Sequence, residues 1–336
     1  MNSSTPLLDN WQTILSQTID SPEALIRHLQ LPEELIEPAR EASKGFPLRI
    51  PAPYLQRIRK GDINDPLLRQ VLPLGDELRQ VPGFVTDPLA EMAANHRDGL
   101  IHKYKGRVLL VITGACAINC RYCFRRHFPY EDNRLGPEQW QQVLNYIQND
   151  DSIKEVIFSG GDPLVSSDKR LQKLIADLEQ IPHLQRLRIH SRLPVVIPQR
   201  VTDTLTTTLR DTRLQSVVVL HINHPNEIDD SVTAAVQQLK KAGITVLNQA
   251  VLLKQVNDSV EVLKQLSETL FASGILPYYL FTFDPVAGAA HFDFADSDAQ
   301  QLMQQLHMEL PGYLVPKLAR EVPGRGSKTV LPIQFD

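Results

Sequence analysis

The sequence predicts an α/β fold, a partial (β/α)6 TIM-like barrel preceded by a mostly helical N-terminal region. Three observations predict it. Six short apolar, β-branched runs recur after residue 107. Amphipathic helical stretches separate them. Unusual polar residues gather where each run ends. Continuous apolar strands alternating with helices describe a parallel sheet covered on its faces. Six repeats in about 180 residues fit an open barrel better than a closed eight-stranded one, with a doubly wound sheet as the competitor.

The elements follow in chain order. WQTILSQ, SPEALIRHLQ and PEELIEPAREA carry helical periodicity, with Ser21 and Pro22 set as N-cap and first helical residue. Pro-rich loops join them, so residues 1–100 read as a helical wrap. Residues 101–295 read as the barrel. Its strands are expected at Arg107–Thr113, Glu155–Ser159, Leu187–His190, Ser216–Ile222, Thr245–Leu253 and Leu276–Phe283. PEQWQQVLNYIQ, DKRLQKLIADLEQ, RVTDTLTTTLRD, EIDDSVTAAVQQLKKAG and DSVEVLKQLSETLFASG supply the helices between them, and Gly243 and Gly274 fall at C-cap positions. Residues 296–336 form a C-terminal segment.

The 336 residues are 42% hydrophobic and 22% charged, an ordinary globular composition. The net charge of −4 weakens a reading as a nucleic-acid binder. The first twenty residues lack a basic and then apolar leader pattern, and the longest apolar run is too short to span a membrane. A cytoplasmic protein is expected.

All three cysteines, Cys116, Cys120 and Cys123, lie in the eight-residue window CAINCRYC. Thiolates so spaced suit a soft metal or an iron–sulfur cluster. Three thiolates on a four-iron cluster leave one iron open for an exogenous ligand. The alternative is a closed zinc site, with His127 as its fourth ligand. SGGDP follows the second strand; its glycines permit close backbone approach, and its amides with Asp162 can hold a small zwitterion. Lys328 stands in the glycine-rich PGRGSK loop, where its amine can meet a carbonyl cofactor. The alternative is an ordinary surface lysine. Asp284 and Glu321 can together hold an ammonium group, or each can serve as a cap. His190, His221, His224 and His291 are candidate bases or donors, or satisfied structural histidines.

In this order, CAINCRYC, SGGDP and PGRGSK resemble the radical S-adenosylmethionine enzymes, and among them the lysine 2,3-aminomutase family. HKYKGRVLLVITGACAINCRYCFRR, SRLPVVIPQR, HINHPNEI, NQAVLLKQVND and YYLFTFDPVAGAAHF extend the likeness from about Gln80 to Pro332. The resemblance implies a [4Fe-4S] cluster on Cys116, Cys120 and Cys123. It implies S-adenosyl-L-methionine against Gly160, Gly161 and Asp162, with Tyr122 near its adenine. It implies pyridoxal 5′-phosphate on Lys328, with Lys103, Arg107, Arg192 and Gln249 around the phosphate. L-lysine is expected between Arg125, at its carboxylate, and Asp284 with Glu321, at its ammonium. Glu321, Lys103 and Phe281 depart from the family's usual Asp, Arg and hydroxyl-bearing aromatic. The short length resembles the branch that supplies β-lysine for elongation factor P through a separate ligase, with an external electron donor. Competing readings are an aminomutase for another amino acid and a non-catalytic iron–sulfur or zinc module that binds a partner.

Overall fold

The structure, a computed structural model, describes residues 10–333 apart from residue 134. A single ten-stranded sheet organises it, with the strands lying side by side in chain order. Two strands, β1 (Asn95–Arg97) and β2 (Leu100–Tyr104), enter antiparallel. Seven parallel strands follow: β3 (Arg107–Thr113), β4 (Glu155–Gly160), β5 (Arg186–Ser191), β6 (Gln215–His221), β7 (Thr245–Val251), β8 (Leu276–Phe281) and β9 (Lys317–Arg320). The short β10 (Thr329–Val330) closes the series antiparallel to β9.

The six expected strands are all present, within two residues at each end. The sheet is nevertheless wider than expected. β9 adds a seventh parallel strand from the C-terminal segment, β1 falls at the end of the region expected to be mostly helical, and β2 precedes the first expected strand.

The N-terminal helices are short: α1 (Trp11–Ser16), α2 (Pro22–His28), α3 (Ile36–Gly45), α4 (Ala52–Leu55) and α5 (Pro66–Arg69). Ser21 caps α2 by accepting from the Ala24 amide, and Pro22 takes the first helical position. The barrel helices are α6 (Pro137–Gln148), α7 (Asp168–Glu179), the short α8 (Leu193–Val196), α9 (Asp203–Asp211), α10 (Asp230–Lys241) and α11 (Val260–Ser273). The last helix, α12 (Asp296–Glu309), precedes β9. In α7, Leu171, Leu174, Ile175 and Leu178 are buried at helical spacing, which turns one stripe onto the sheet. Gly274 ends α11 in the left-handed region, φ 89°, where glycine is favoured. The core is continuous from Leu25 and Leu67 in the wrap to Phe158, Leu187 and Val218 in the strands. Among the described residues, no helix is long and apolar enough to cross a membrane.

The wrap also fixes the cysteine loop. The Asn119 amide donates to Arg49 O at 3.1 Å and the Arg121 amide to Gln70 O at 2.9 Å. Arg121, inside the cysteine motif, is fully buried. Its Nε donates to Glu77 at 2.7 Å, and Arg126 donates to the same carboxylate at 2.7 Å. Segment 78–92 then crosses towards the far edge. The Val85 amide donates to Pro285 O, and the Ala287 amide to Val85 O, both at 2.9 Å.

Candidate active site

One cavity of about 740 Å³ opens where the parallel strands end. All fifteen sequence-predicted site residues line it, from Cys116, Cys120 and Cys123 to Asp284, Glu321 and Lys328. This is where a β/α barrel assembles chemistry, since each strand delivers its last residues to the same face.

At one end lie the three cysteines, all free and partly exposed. Burial raises the Cys116 and Cys123 thiols, and the neighbouring cysteine of the loop adds to it; Cys123 is pushed up to about 11. Among the described residues, no three His, Cys, Asp or Glu side chains stand close enough together to hold a single metal ion. His127 is exposed and its Nε2 lies 3.1 Å from Ala287 O, outside the cavity lining. It is not placed as a fourth ligand.

The SGGDP turn does its work differently from expectation. The Gly161 amide donates to Thr113 O at 2.7 Å and the Asp162 amide to Ala115 O at 2.9 Å. These two amides hold the cysteine loop instead of standing free for a ligand. The Asp162 carboxylate is consumed too. It accepts from Ser191 Oγ at 2.7 Å and from the amides of Arg192 and Leu193 at 2.8 Å each, besides that of Leu164 at 3.1 Å. A Cβ on Gly161 would lie 2.5 Å from Ala115 O, so glycine is required for this backbone approach.

Arg192, expected around a phosphate, has several protein partners of its own. Its Nη1 lies 2.6 Å from Cys120 Sγ and 2.7 Å from the Tyr122 hydroxyl. Its Nη2 donates to Glu227 and Gln70 at 2.8 Å each. The residue thus joins the cysteine loop to the wrap. Gln249 also differs: its amide donates to His221 Nε2 at 2.9 Å. Burial, reinforced by Arg192 and Arg125, holds His221 down at about 3, so the ring is neutral and free to accept. His190 lines the cavity beside it, 6.0 Å between ring centres. His224 instead caps a turn by accepting from the Asn226 amide, and His291 lies outside the cavity lining.

At the other end, Glu321 accepts from Lys103 at 2.6 Å and from Lys328 at 3.0 Å. Burial pushes this carboxyl up, but the two lysines outweigh it and hold it at about 2. Lys103 is therefore a counter-ion of Glu321 instead of a free phosphate ligand, and it also donates to Leu89 O at 3.1 Å. Lys328 Nζ stands 4.4 Å from the centre of the Phe281 ring, a cation–π contact. Asp284 is pushed up to about 7 by burial and by Glu321, which Lys328 only partly offsets. Arg107 stacks on Tyr104 at 4.7 Å. Arg125 is paired with Glu91, at 2.6 and 2.8 Å, a partner that no motif announced.

A barrel of parallel strands with a three-cysteine loop after the first of them defines a radical S-adenosylmethionine domain, and the Radical SAM superfamily matches residues 110–266. Over 321 residues the chain is 53% identical to the L-lysine 2,3-aminomutase of Haemophilus influenzae, covering 96% of this chain and 95% of that one. It is 48% identical to the enzyme of that name from Escherichia coli, over 98% and 97% of the two chains. Against the one from Clostridium subterminale the identity is 37%, over 96% of this chain and 78% of that one. The chain belongs to the L-lysine 2,3-aminomutase family, whose members are isomerases. Among solved structures, a radical SAM methyltransferase from Sphaerobacter thermophilus is similar over 66% of this chain and 68% of that one, with TM-score 0.47 and 16% identity.

Proposed function

We propose that this protein is a pyridoxal phosphate-dependent L-lysine 2,3-aminomutase that moves the α-amino group of free L-lysine to C3. The observation that carries the proposal is the single cavity with three thiols at one end and Lys328, Glu321 and Asp284 at the other.

The donor set supports a [4Fe-4S] cluster: three free thiols share the cavity, and the nearest histidine in sequence, His127, faces elsewhere. Cys116, Cys120 and Cys123 would hold such a cluster, and with only three thiolates it would leave room for S-adenosyl-L-methionine as a further ligand. Arg192 Nε is buried without a hydrogen-bond partner among the described residues, an orphan donor that favours an acceptor ligand there. Pyridoxal phosphate is supported at the other end by the Lys328 amine, by Arg107, which stacks on the Tyr104 ring, and by the buried His190 Nε2, which has no hydrogen-bond partner among the described residues. When bound, the cluster and S-adenosyl-L-methionine supply a hydrogen-abstracting radical, and pyridoxal phosphate supplies a conjugated carrier for the amino group.

The chain's own residues then have these tasks. Arg125 meets the substrate carboxylate. Asp284, which no lysine ammonium pairs with among the described residues, meets the ε-ammonium first, with Glu321 beside it. Two carboxylates at that end reject a glutamate side chain. Tyr122 packs edge-on against Phe292, which fixes its ring for an adenine. The cavity walls exclude water from the reacting centre. On this reading residues 101–295 carry the radical chemistry, and the 296–336 segment brings Glu321 and Lys328 to it. We further propose that the product serves elongation factor P through a separate cytoplasmic ligase. The motif likeness to the compact branch supports that step, as does the near-complete cover of the shorter relatives.

The test is anaerobic turnover with iron, sulfide, pyridoxal phosphate, dithionite, S-adenosyl-L-methionine and L-lysine, read by chiral chromatography. β-Lysine is the expected product. Release of 5′-deoxyadenosine without β-lysine would overturn the substrate; neither product from a protein with an intact cluster would overturn the reaction. Loss of β-lysyl elongation factor P in cells lacking this gene, read by mass spectrometry, tests the last step.

A further inference from the structure

Glu91 comes from the Pro-rich N-terminal segment, yet it is only 4% exposed and it lines the cavity. Arg125 Nε and Nη2 donate to its two oxygens at 2.6 and 2.8 Å. Arg125 Nη1 donates to Ser159 Oγ at 3.0 Å and to Gly160 O at 3.3 Å. A guanidinium has five N–H donors. Among the described residues four are engaged, and one N–H of Nη2 is left.

The backbone that carries Glu91 is itself held. The Asp87 carboxylate accepts from the Glu91 and Met92 amides at 3.0 and 3.3 Å. Lys103 Nζ lies 3.7 Å from a Glu91 oxygen and anchors Leu89 O. The pair is buried, bidentate and doubly supported, so a ligand carboxylate meets Arg125 with Glu91 already in place.

We infer that Glu91 is a positioning residue for substrate recognition. It clamps the Arg125 guanidinium so that one directed N–H receives the free α-carboxylate of the amino acid. This inference rests on the aminomutase reading above. It makes the site selective for an α-amino acid with a free carboxylate over the corresponding amide, because an amide at that N–H forfeits the charge-assisted bond.

The test compares binding of L-lysine and L-lysinamide by calorimetry. The holoenzyme is used, carrying cluster, pyridoxal phosphate and S-adenosyl-L-methionine under anaerobic conditions. A charge-assisted bond predicts a preference of the wild type for L-lysine on the order of 10- to 100-fold. In Glu91→Gln the preference is expected to fall roughly tenfold, with iron content unchanged; Glu91→Asp, which keeps the charge, is expected to recover part of it. A merely structural Glu91 would lower the melting temperature and leave the ratio of the two affinities alone, and that result overturns the inference. Failure of both variants to fold also overturns it, by assigning the pair to the fold. If the wild type binds L-lysine without preference over the amide, the inference falls alone; if it binds neither, the aminomutase reading falls with it.

Discussion

Asp284 gives the site a pH dependence that can be worked out in advance. Burial, then the nearby Glu321 carboxylate, pushes its carboxyl up to about 7. An ordinary aspartate is ionised throughout the range from about pH 5 upward. Asp284 instead is roughly one-tenth ionised at pH 6 and nine-tenths at pH 8. Only the ionised form attracts an ammonium group. The ε-ammonium of lysine does not titrate in that range, and burial keeps the cavity histidines His190 and His221 well below it. The kcat/KM for L-lysine is therefore expected to rise about tenfold from pH 6 to pH 8, since this ratio reports groups of the free enzyme. The charged groups acting on Asp284 are Glu321 and Glu91, which raise it, and Lys328 and Lys103, which lower it. Stability follows the opposite course. A raised carboxyl holds a proton that the unfolded chain has released, so its contribution is full below about pH 4 and is lost as pH rises through about 7. Asp284→Asn is expected to weaken L-lysine binding and flatten both profiles. A wild-type kcat/KM that is level across this range, or a rise that survives in Asp284→Asn, would refute the assignment of Asp284 to the ammonium.

Other substitutions probe the supporting structure. Gly161→Ala places a Cβ 2.5 Å from Ala115 O and 2.7 Å from the Gly114 carbonyl, both backbone atoms just ahead of Cys116; it is expected to lower stability by about 1–3 kcal/mol and to reduce iron uptake on reconstitution, both measurable on one preparation. Glu77→Gln removes the carboxylate shared by the buried Arg121 and Arg126. Denaturant unfolding should show a loss of about 3–5 kcal/mol, and a change under 1 kcal/mol would mean that the pair is not a clamp on the cysteine loop. Serine at Cys116, Cys120 or Cys123 should abolish cluster absorbance and release of 5′-deoxyadenosine alike, and full radical chemistry in any one of them would remove that thiol from the ligand set.

The parallel strands were legible because strong signals coincide there: β-branched apolar runs, helical stripes between them and glycine at the C-caps. The strands that escaped notice carry weak signals. β9 is four residues long and follows a proline, and β2 mixes His102 and Lys103 into its run. The residues that the fold brings to one cavity were legible by kind, because cysteines in one window, an isolated Gly-Gly-Asp and a lysine in a glycine loop are rare in company. Their partners were not. Arg125 stands 34 positions from Glu91 and Arg121 stands 44 from Glu77. Both acids sit in proline-rich stretches that read as loops, and only the tertiary fold shows that one of them, Glu91, lines the cavity while the other, Glu77, clamps the cysteine loop. The same limit explains Asp162 and Arg192. A motif marks which side chain is special, but most of the atoms that claim its hydrogen bonds come from segments distant in sequence.

The charges in the cavity are arranged so that it is stable before any ligand enters. Arg125, Glu91, Lys103, Glu321 and Lys328 form a line of alternating sign, with successive contacts of 2.6, 3.7, 2.6 and 3.0 Å. Each buried charge has an opposite neighbour, which offsets the penalty of removing it from water. Free lysine carries the same pattern, a carboxylate at one end and an ammonium at the other. On the proposed reading its carboxylate accepts from the Arg125 N–H that the line leaves unused. On the same reading its ammonium meets Asp284, a carboxylate outside the line that burial and then Glu321 push up to about 7. Glu321 is shared between two lysines, so it is already engaged in the free protein. A site built this way favours an occupant with both charges in the right separation. A partial match gains one contact and leaves the rest of the line as it was.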